Sequence, residues 1–176
     1  MESVTNILNS KFGEGVILRM DEHTSPNGLT IEASNIESVC QELHQNEALY
    51  FDMLSCITGV DNGSEEGTME VIYNLYSITF EHSLMLKVIV KRNEEGKPLP
   101  EVPSVASIWK AADWHEREVY DLLGIRFTNH PDMRRILMPA DWEGHPLRKD
   151  YKEQEKYRGM NVVYDRDQDE QITNNQ

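Results

Sequence analysis

Leu84, Leu86, Val88 and Val90 alternate with Met85, Lys87, Ile89 and Lys91, and no other stretch of the chain repeats with a period of two as cleanly. Successive side chains of a strand point to opposite faces, so this run demands a strand with one buried face. A single half-buried strand is unstable alone and needs partners on both its edge and its face. The flanking sequence supplies them. Met69, Val71, Tyr73 and Leu75 share one parity in the segment from Met69 to Phe80, and Tyr50 to Ile57 is apolar and rich in strand-forming types. Between these two, Gly59-Val60-Asp61-Asn62-Gly63-Ser64-Glu65-Glu66-Gly67 reads as a long hairpin loop. Its acids resemble a calcium loop, but the required glycine and distal glutamate are out of register.

Upstream, Val4, Ile7, Leu8 and Phe12 recur at helical spacing, predicting a helix from Ser3 to Gly13. Val16, Leu18 and Met20 alternate as in a half-buried strand. Ser25-Pro26-Asn27-Gly28 has turn chemistry, and Leu29, Ile31 and Ala33 complete a hairpin. Asn35 is placed to cap a helix whose apolar stripe is Ile36, Val39, Cys40 and Leu43. The order α-β-β-α-β-β-β predicts an α+β fold of two layers, with helices packed on a mostly antiparallel sheet. Lys97-Pro98-Leu99-Pro100-Glu101-Val102-Pro103 carries three prolines and reads as an irregular bridge. The predicted organisation is a core over residues 1–96, then bridge, helix and extended docking segment over 97–151. A polar tail over 152–176, ending Asp167-Gln168-Asp169-Glu170-Gln171 and expected to fray, completes a single domain.

The net charge of −14 argues against nucleic acid, because phosphates need a basic field. The charge is uneven: 16 acids face 6 lysines and arginines up to Pro100, but 9 face 7 from Glu101 to Asp150. That near-neutral stretch holds Trp109, Trp114 and Trp142 as well, a composition suited either to a protein contact or to core. No run reaches the roughly 18 apolar residues of a membrane helix, and the amino terminus lacks a secretory pattern. The expectation is a cytosolic chain, or one held at a membrane through other proteins. Cys40 and Cys56 form no CxxC pair and read as reduced core residues.

The densest chemistry begins at Asp113-Trp114-His115-Glu116, which has the form of a capping box. The helix it opens is predicted to stop at Gly124, with His115, Val119 and Leu122 on one stripe and Arg117 four residues before Asp121, in reach to pair. Beyond it lie His130-Pro131-Asp132, Arg134-Arg135-Ile136-Leu137 and His145-Pro146-Leu147-Arg148-Lys149-Asp150-Tyr151. Two readings stand on these residues. One is an arginine–carboxylate network tying an irregular segment to a helix, each His-Pro pair marking a turn. The other is a metal or acid–base hydrolase using His115, His130, Glu118 and Asp132. Zinc-protease spacing is missing, since Val119 occupies the position four after His115. There is also no Gly-x-Ser-x-Gly elbow and no phosphate loop.

Taken together, Trp114, Glu116-Arg117-Glu118-Val119-Tyr120-Asp121-Leu122, Gly124-Ile125, Phe127, His130-Pro131-Asp132, Arg134-Arg135-Ile136-Leu137 and His145-Pro146-Leu147-Arg148-Lys149-Asp150-Tyr151 resemble the C-subunit family of respiratory NADH:quinone oxidoreductase, complex I. The resemblance implies a peripheral-arm subunit on the cytoplasmic face of the membrane. Such a subunit binds no flavin, cluster, quinone or metal itself, while the complex as a whole carries FMN, iron–sulfur clusters and quinone. It implies docking on the D subunit and the neighbouring iron–sulfur subunits through Trp114, Glu116, Arg117, Glu118, Asp121, His130, Asp132, Arg134, Arg135, His145, Arg148, Lys149 and Asp150. A C-like subunit of a membrane-bound hydrogenase, or of a ferredoxin- or F420H2-linked quinone reductase, fits the same residues. Two departures stand out. Asn129 replaces a common glycine but still tolerates left-handed φ. Lys152-Glu153-Gln154-Glu155-Lys156-Tyr157 replaces a Pro-Leu-Thr-Gly type extension.

Overall fold

The structure is a computed structural model, and it describes residues 1–94 and 96–162. The expected acidic tail after Lys152 falls partly, and its Asp167–Gln171 end wholly, outside the described residues.

The period-two run forms the centre of the fold. Strand β5 (His82–Lys91) pairs antiparallel with β4 (Thr68–Ser77), which pairs antiparallel with β3 (Met53–Asp61). On the other side β5 pairs in parallel with β2 (Gly28–Ile31), which forms the expected hairpin with β1 (Ile17–Asp21). The order β1-β2-β5-β4-β3 makes a mixed, mostly antiparallel sheet. Its inward parity is the predicted one: Met69, Val71, Tyr73, Leu75, Leu84, Leu86 and Val88 are all buried. Helices α1 (Glu2–Phe12), α2 (Ile36–Gln45) and α3 (Lys110–Leu123) supply the second layer, with Val4, Leu8, Ile36, Val39, Cys40 and Leu43 in the shared core. The α+β expectation is met.

Several local expectations are revised. Val16 is buried, but Leu18 and Met20 are exposed, because the β1–β2 register shifts between Ile17 and Arg19 and turns the edge strand outward. Asn35 ends a 3-10 turn (Ala33–Asn35), and its side chain caps nothing on α2. The loop after β3 is shorter than predicted, because both strands run on to Asp61 and from Thr68. The proline-rich bridge contains a short strand, β6 (Glu101–Pro103), paired in parallel with β7 (Arg126–Thr128). Proline lacks a donor but keeps its carbonyl, and Pro100 uses it to accept from the Arg126 N–H at 2.8 Å. Beyond α3, a hairpin of β8 (Lys156–Tyr157) and β9 (Met160–Asn161) leans on Trp142 through its Tyr157 ring.

Gly59 decides where α3 sits. It shares the inward parity of Ile57 and Asp61, and a Cβ there would lie 2.4 Å from Leu123 Cδ1 and 2.9 Å from Val119 Cγ1. The missing side chain lets α3 lie against edge strand β3. Gly59→Val should therefore force α3 away and destabilise the fold by about 1–3 kcal/mol, read by urea denaturation. An unchanged midpoint would mean that the helix packs elsewhere.

Candidate functional site: a segment anchored by buried charges

Helix α3 starts at Lys110, four residues earlier than the capping-box reading, so Asp113 and Glu116 lie inside the helix and cap nothing. The apolar Trp109 takes the N-cap position and donates its indole N–H to the Phe51 carbonyl at 3.1 Å. This indole contact inside the protein ties the helix start to the sheet. The C-terminal stop is as expected, with Gly124 left-handed at φ 69°. The buried face is Ala112, Glu116, Val119 and Leu123, joined by Arg117 and Asp121, and not the predicted His115–Val119–Leu122 stripe.

Three anchors follow from that placement. The first is Asp121, fully buried on the last turn of α3. One carboxylate oxygen accepts from the Arg135 guanidinium at 3.1 Å; the other accepts from the backbone N–H groups of Ile136, Leu137 and Met138 at 3.0, 2.7 and 2.9 Å. Asp121 thus does not pair with Arg117, as its spacing suggested. Arg117 turns the other way, donating to the Arg134 carbonyl at 3.3 Å, standing 3.8 Å from Asp113 and lying over the Trp114 ring at 5.2 Å. Arg135 reaches on to the Gly144 carbonyl at 2.7 Å, and His145 Nδ1 lies 2.9 Å from the Asp121 carbonyl. A carbonyl only accepts, so that nitrogen carries the hydrogen, and burial pushes the His145 pKa down.

The second anchor closes the C-terminus of α3. Arg148 donates to the Leu123 and Gly124 carbonyls at 2.7 and 3.3 Å and to Asn93 Oδ1 at 2.8 Å, where helix carbonyls lack partners of their own. It continues to a buried pair that sequence reading missed. Arg92 donates to both oxygens of Asp61, at 2.8 and 3.3 Å, and to Asp150 at 2.5 Å. Asp61 also accepts from the Gly63 and Lys149 N–H groups at 3.0 and 2.9 Å. Burial alone would raise the Asp61 pKa, but the Arg92 bonds and the two backbone donors outweigh it and hold the carboxyl below its ordinary range. Strand parity could have revealed the pair. Asp61 falls on the inward parity of Ile57, and Arg92 on that of Leu84 to Val90.

The third anchor is Glu116, which is 0% exposed. It accepts from Ser104 Oγ at 2.5 Å and the Val105 N–H at 2.7 Å, fixing the chain where it leaves β6. His130 Nε2 stands 3.8 Å away and faces the Asp113 carbonyl at 3.1 Å, while Nδ1 accepts from the Asp132 N–H at 3.0 Å. These bonds assign His130 as neutral with its hydrogen on Nε2. Among the described residues no lysine or arginine meets Glu116, and burial pushes its pKa up to about 7 despite the Ser104 and Val105 donors, with Asp113 and Glu37 adding repulsion.

The predicted residues therefore divide into separate clusters, and several stay outside them. Glu118 is exposed and unpaired among the described residues, Arg134 forms an exposed pair with Asp132 at 2.8 Å, and Lys149 joins chiefly through its backbone. His115, Glu118 and the Asp132 carboxylate make no bond to His130 or to one another among the described residues, so the hydrolase residues do not converge. Among the described residues no three His, Cys, Asp or Glu side chains are placed to hold a metal ion. What the anchors present outward is apolar: Trp114 is 64% exposed and Leu137 and Leu147 are 59% exposed, all beside α3. Leu137 is held there by the Asp121 cradle, and Leu147 by its N–H bond to the Leu122 carbonyl at 2.9 Å.

The family described as respiratory-chain NADH dehydrogenase, 30 Kd subunit, matches residues 29–157, a span containing all three anchors. The chain belongs to this family. Members similar to it are the NADH-quinone oxidoreductase C subunits of Chloroherpeton thalassium, Chlorobium phaeobacteroides and Geobacter sulfurreducens. The first is 42% identical over 165 residues, covering 93% of this chain and 65% of the relative. The second is 38% identical over 160 residues, covering 90% and 93%. The third is 40% identical over 157 residues, covering 86% and 92%. The chain thus spans about two thirds of the first relative and nearly all of the others. The 30 Kd subunit fold recurs in a chain of the membrane-bound sulfane sulfur reductase, an archaeal respiratory membrane complex. The TM-score is 0.68 at 23% identity, covering 86% of this chain and 85% of that one. Asn129, where many members have glycine, adopts φ 62°, the left-handed geometry expected of the substitution.

Two outcomes test the anchors. Asp121→Ala strands the Arg135 charge and three backbone donors, a loss on the order of 3–5 kcal/mol for a buried pair. Amide exchange at Ile136, Leu137 and Met138 should accelerate in that variant while β4 and β5 stay protected; unchanged exchange would show that the cradle does not hold the segment. Glu116 sets a pH dependence. Its pKa rises from 4.5 to about 7 on folding, so the native state binds a proton that the unfolded chain has released between those values. The neutral carboxyl's contribution is complete below the lower value and declines as pH climbs through the upper one. Glu116→Gln abolishes this titration. Wild-type stability relative to the variant should fall between about pH 5 and pH 8 by up to about 3 kcal/mol. His145 works in the opposite direction but is common to both proteins, so it cancels. A difference flat with pH would remove Glu116 as the cause.

Proposed function

We propose that this chain is a structural subunit of the peripheral arm of an NADH:quinone oxidoreductase, with the α3 face and its anchored segment as the surface that docks on the D subunit and the neighbouring iron–sulfur subunits. In this reading the chain holds no flavin, cluster, quinone or metal, takes no part in the chemistry, and stays at the cytoplasmic face of the membrane through its partners. No helix among the described residues is long and apolar enough to cross a membrane. The observation that carries the reading is the pairing of buried anchors with displayed apolar residues. Asp121 holds its neighbours through four hydrogen bonds, and Leu137 nevertheless remains 59% exposed, as does Leu147, while Trp114 on α3 is 64% exposed. Clustered large apolar side chains rimmed by charge mark an interface, and a rigid backbone beneath them lowers the entropy lost on docking.

The test separates assembly from chemistry. Leu137→Asp and Trp114→Ala alter only exposed side chains, so the melting temperature of the isolated chain should hardly move. Assembled complex on a native gel should fall about tenfold or more for Leu137→Asp, because a charge at the centre of a dry contact has no partner. NADH:quinone turnover per assembled complex should stay near the wild-type value. Full assembly with turnover reduced a hundredfold would place these residues in the reaction and end the structural reading.

A further inference from the structure

The turn joining β4 to β5 breaks the usual chemistry of hairpin tips. Its four residues are Ile78, Thr79, Phe80 and Glu81, where small, polar or glycine residues are the rule. Ile78 is 59% exposed and Phe80 47% exposed. Beside them, at the start of β3, Tyr50 is 42% and Met53 44% exposed. These four side chains belong to one place. The Ile78 N–H donates to Asp52 Oδ1 at 2.9 Å, Met53 lies opposite Tyr76 in the β3–β4 register, and the Phe51 ring packs on His82 with centroids 4.7 Å apart.

The tip is rigid as well as apolar. Ser77 is fully buried and its hydroxyl accepts from the Phe80 N–H at 3.3 Å. His82 stacks on Phe80 with centroids 5.9 Å apart, and its Nε2 lies 3.2 Å from the Leu49 carbonyl. Tyr50 and Glu81 both adopt positive φ, at 40° and 52°. Non-glycine residues in that region carry strain, which the surrounding bonds maintain. Polar contacts thus hold the backbone of the tip while its apolar side chains face solvent. This is the design of the α3 face repeated on different elements, at the opposite end of β3 from Asp61 and roughly 25 Å from it by strand rise.

Charge selects the occupant. Residues 46–53 and 76–86 contain Glu47, Asp52 and Glu81 and no lysine or arginine. An acidic rim repels anionic headgroups, so a lipid surface does not fit. We propose that the hairpin tip, Ile78 and Phe80 with Tyr50 and Met53, is a second docking surface that inserts into an apolar socket edged by lysine or arginine on another protein subunit of the assembly. This rests on the reading of the chain as a subunit of a larger complex, and adds to it a contact on elements outside the α3 face.

Photo-crosslinking in the native complex tests both surfaces separately. Phe80→p-benzoylphenylalanine probes the tip and Leu137→p-benzoylphenylalanine the α3 face, each irradiated in membranes, purified as intact complex and mapped by mass spectrometry. The tip probe should join a segment of another subunit with apolar residues within a few positions of lysine or arginine. Its yield should drop about fivefold or more with Glu47→Lys and Glu81→Lys together, while the Leu137 yield holds. The inference is overturned if the Leu137 probe captures a subunit while the tip probe yields nothing, lipid, a second copy of this chain, or a segment without basic residues. The inference is likewise overturned if the double charge reversal leaves the tip yield unchanged. If neither probe captures a subunit, the docking role proposed for the whole chain falls with it.

Discussion

A carboxylate with no exposure, Asp121, receives one guanidinium and three consecutive backbone N–H groups, and the arrangement of the second half of the chain depends on it. A buried charge is tolerated only when its lone pairs are filled, and here the filling groups come from a segment with little regular structure. The bond therefore works in both directions. The segment solvates the carboxylate, and the carboxylate gives the segment one conformation that its own sequence could not maintain. Asp61 with Arg92 and Asp150, and Arg148 at the end of α3, apply the same logic at neighbouring points.

The consequence is a division of labour between the two halves. The sheet and the three helices, α3 included through Trp109, Ala112, Val119 and Leu123, form an ordinary core, held by apolar burial that any set of well-packed side chains of similar volume could provide. The irregular segment after α3 is held chiefly by specific polar bonds instead, which leaves apolar side chains free to face outward. Trp114, Leu137 and Leu147 are exposed because the backbone beneath them is secured by other means. A protein acting alone gains nothing from such display, whereas a subunit gains a contact surface formed before its partner arrives.

Glu116 differs from the other anchors because no lysine or arginine faces it among the described residues. Its ligands are a hydroxyl and one N–H, and the nearest histidine turns its hydrogen to a backbone carbonyl. The resulting carboxyl titrates near neutrality, where the cation-paired Asp61 stays ionised. Two acids in one small domain are thus set apart, Glu116 by deep burial without a cationic partner among the described residues and Asp61 by its bonds to Arg92 and two backbone donors.

Strand parity, helical spacing and turn residues determined the α+β fold, the inward faces of α2, β4 and β5 and the stop at Gly124, because these depend on interactions between near neighbours in the chain. The order of residues from Trp114 to Tyr151 likewise carried the family. Which charges meet was settled only in three dimensions. Arg117 and Asp121 sit four apart and look paired, yet tertiary packing rotates both into the protein toward partners 14 to 17 residues further on. The capping box at Asp113 gave way to Trp109, because burying an indole against Phe51 outweighs a side-chain cap worth about 1 kcal/mol. Arg92 and Asp61, 31 residues apart, became partners because β3 and β5, which flank β4 and run the same way, end at the same edge of the core. Spacing encodes what a segment can do by itself, and a buried charge takes whichever partner the fold brings within reach.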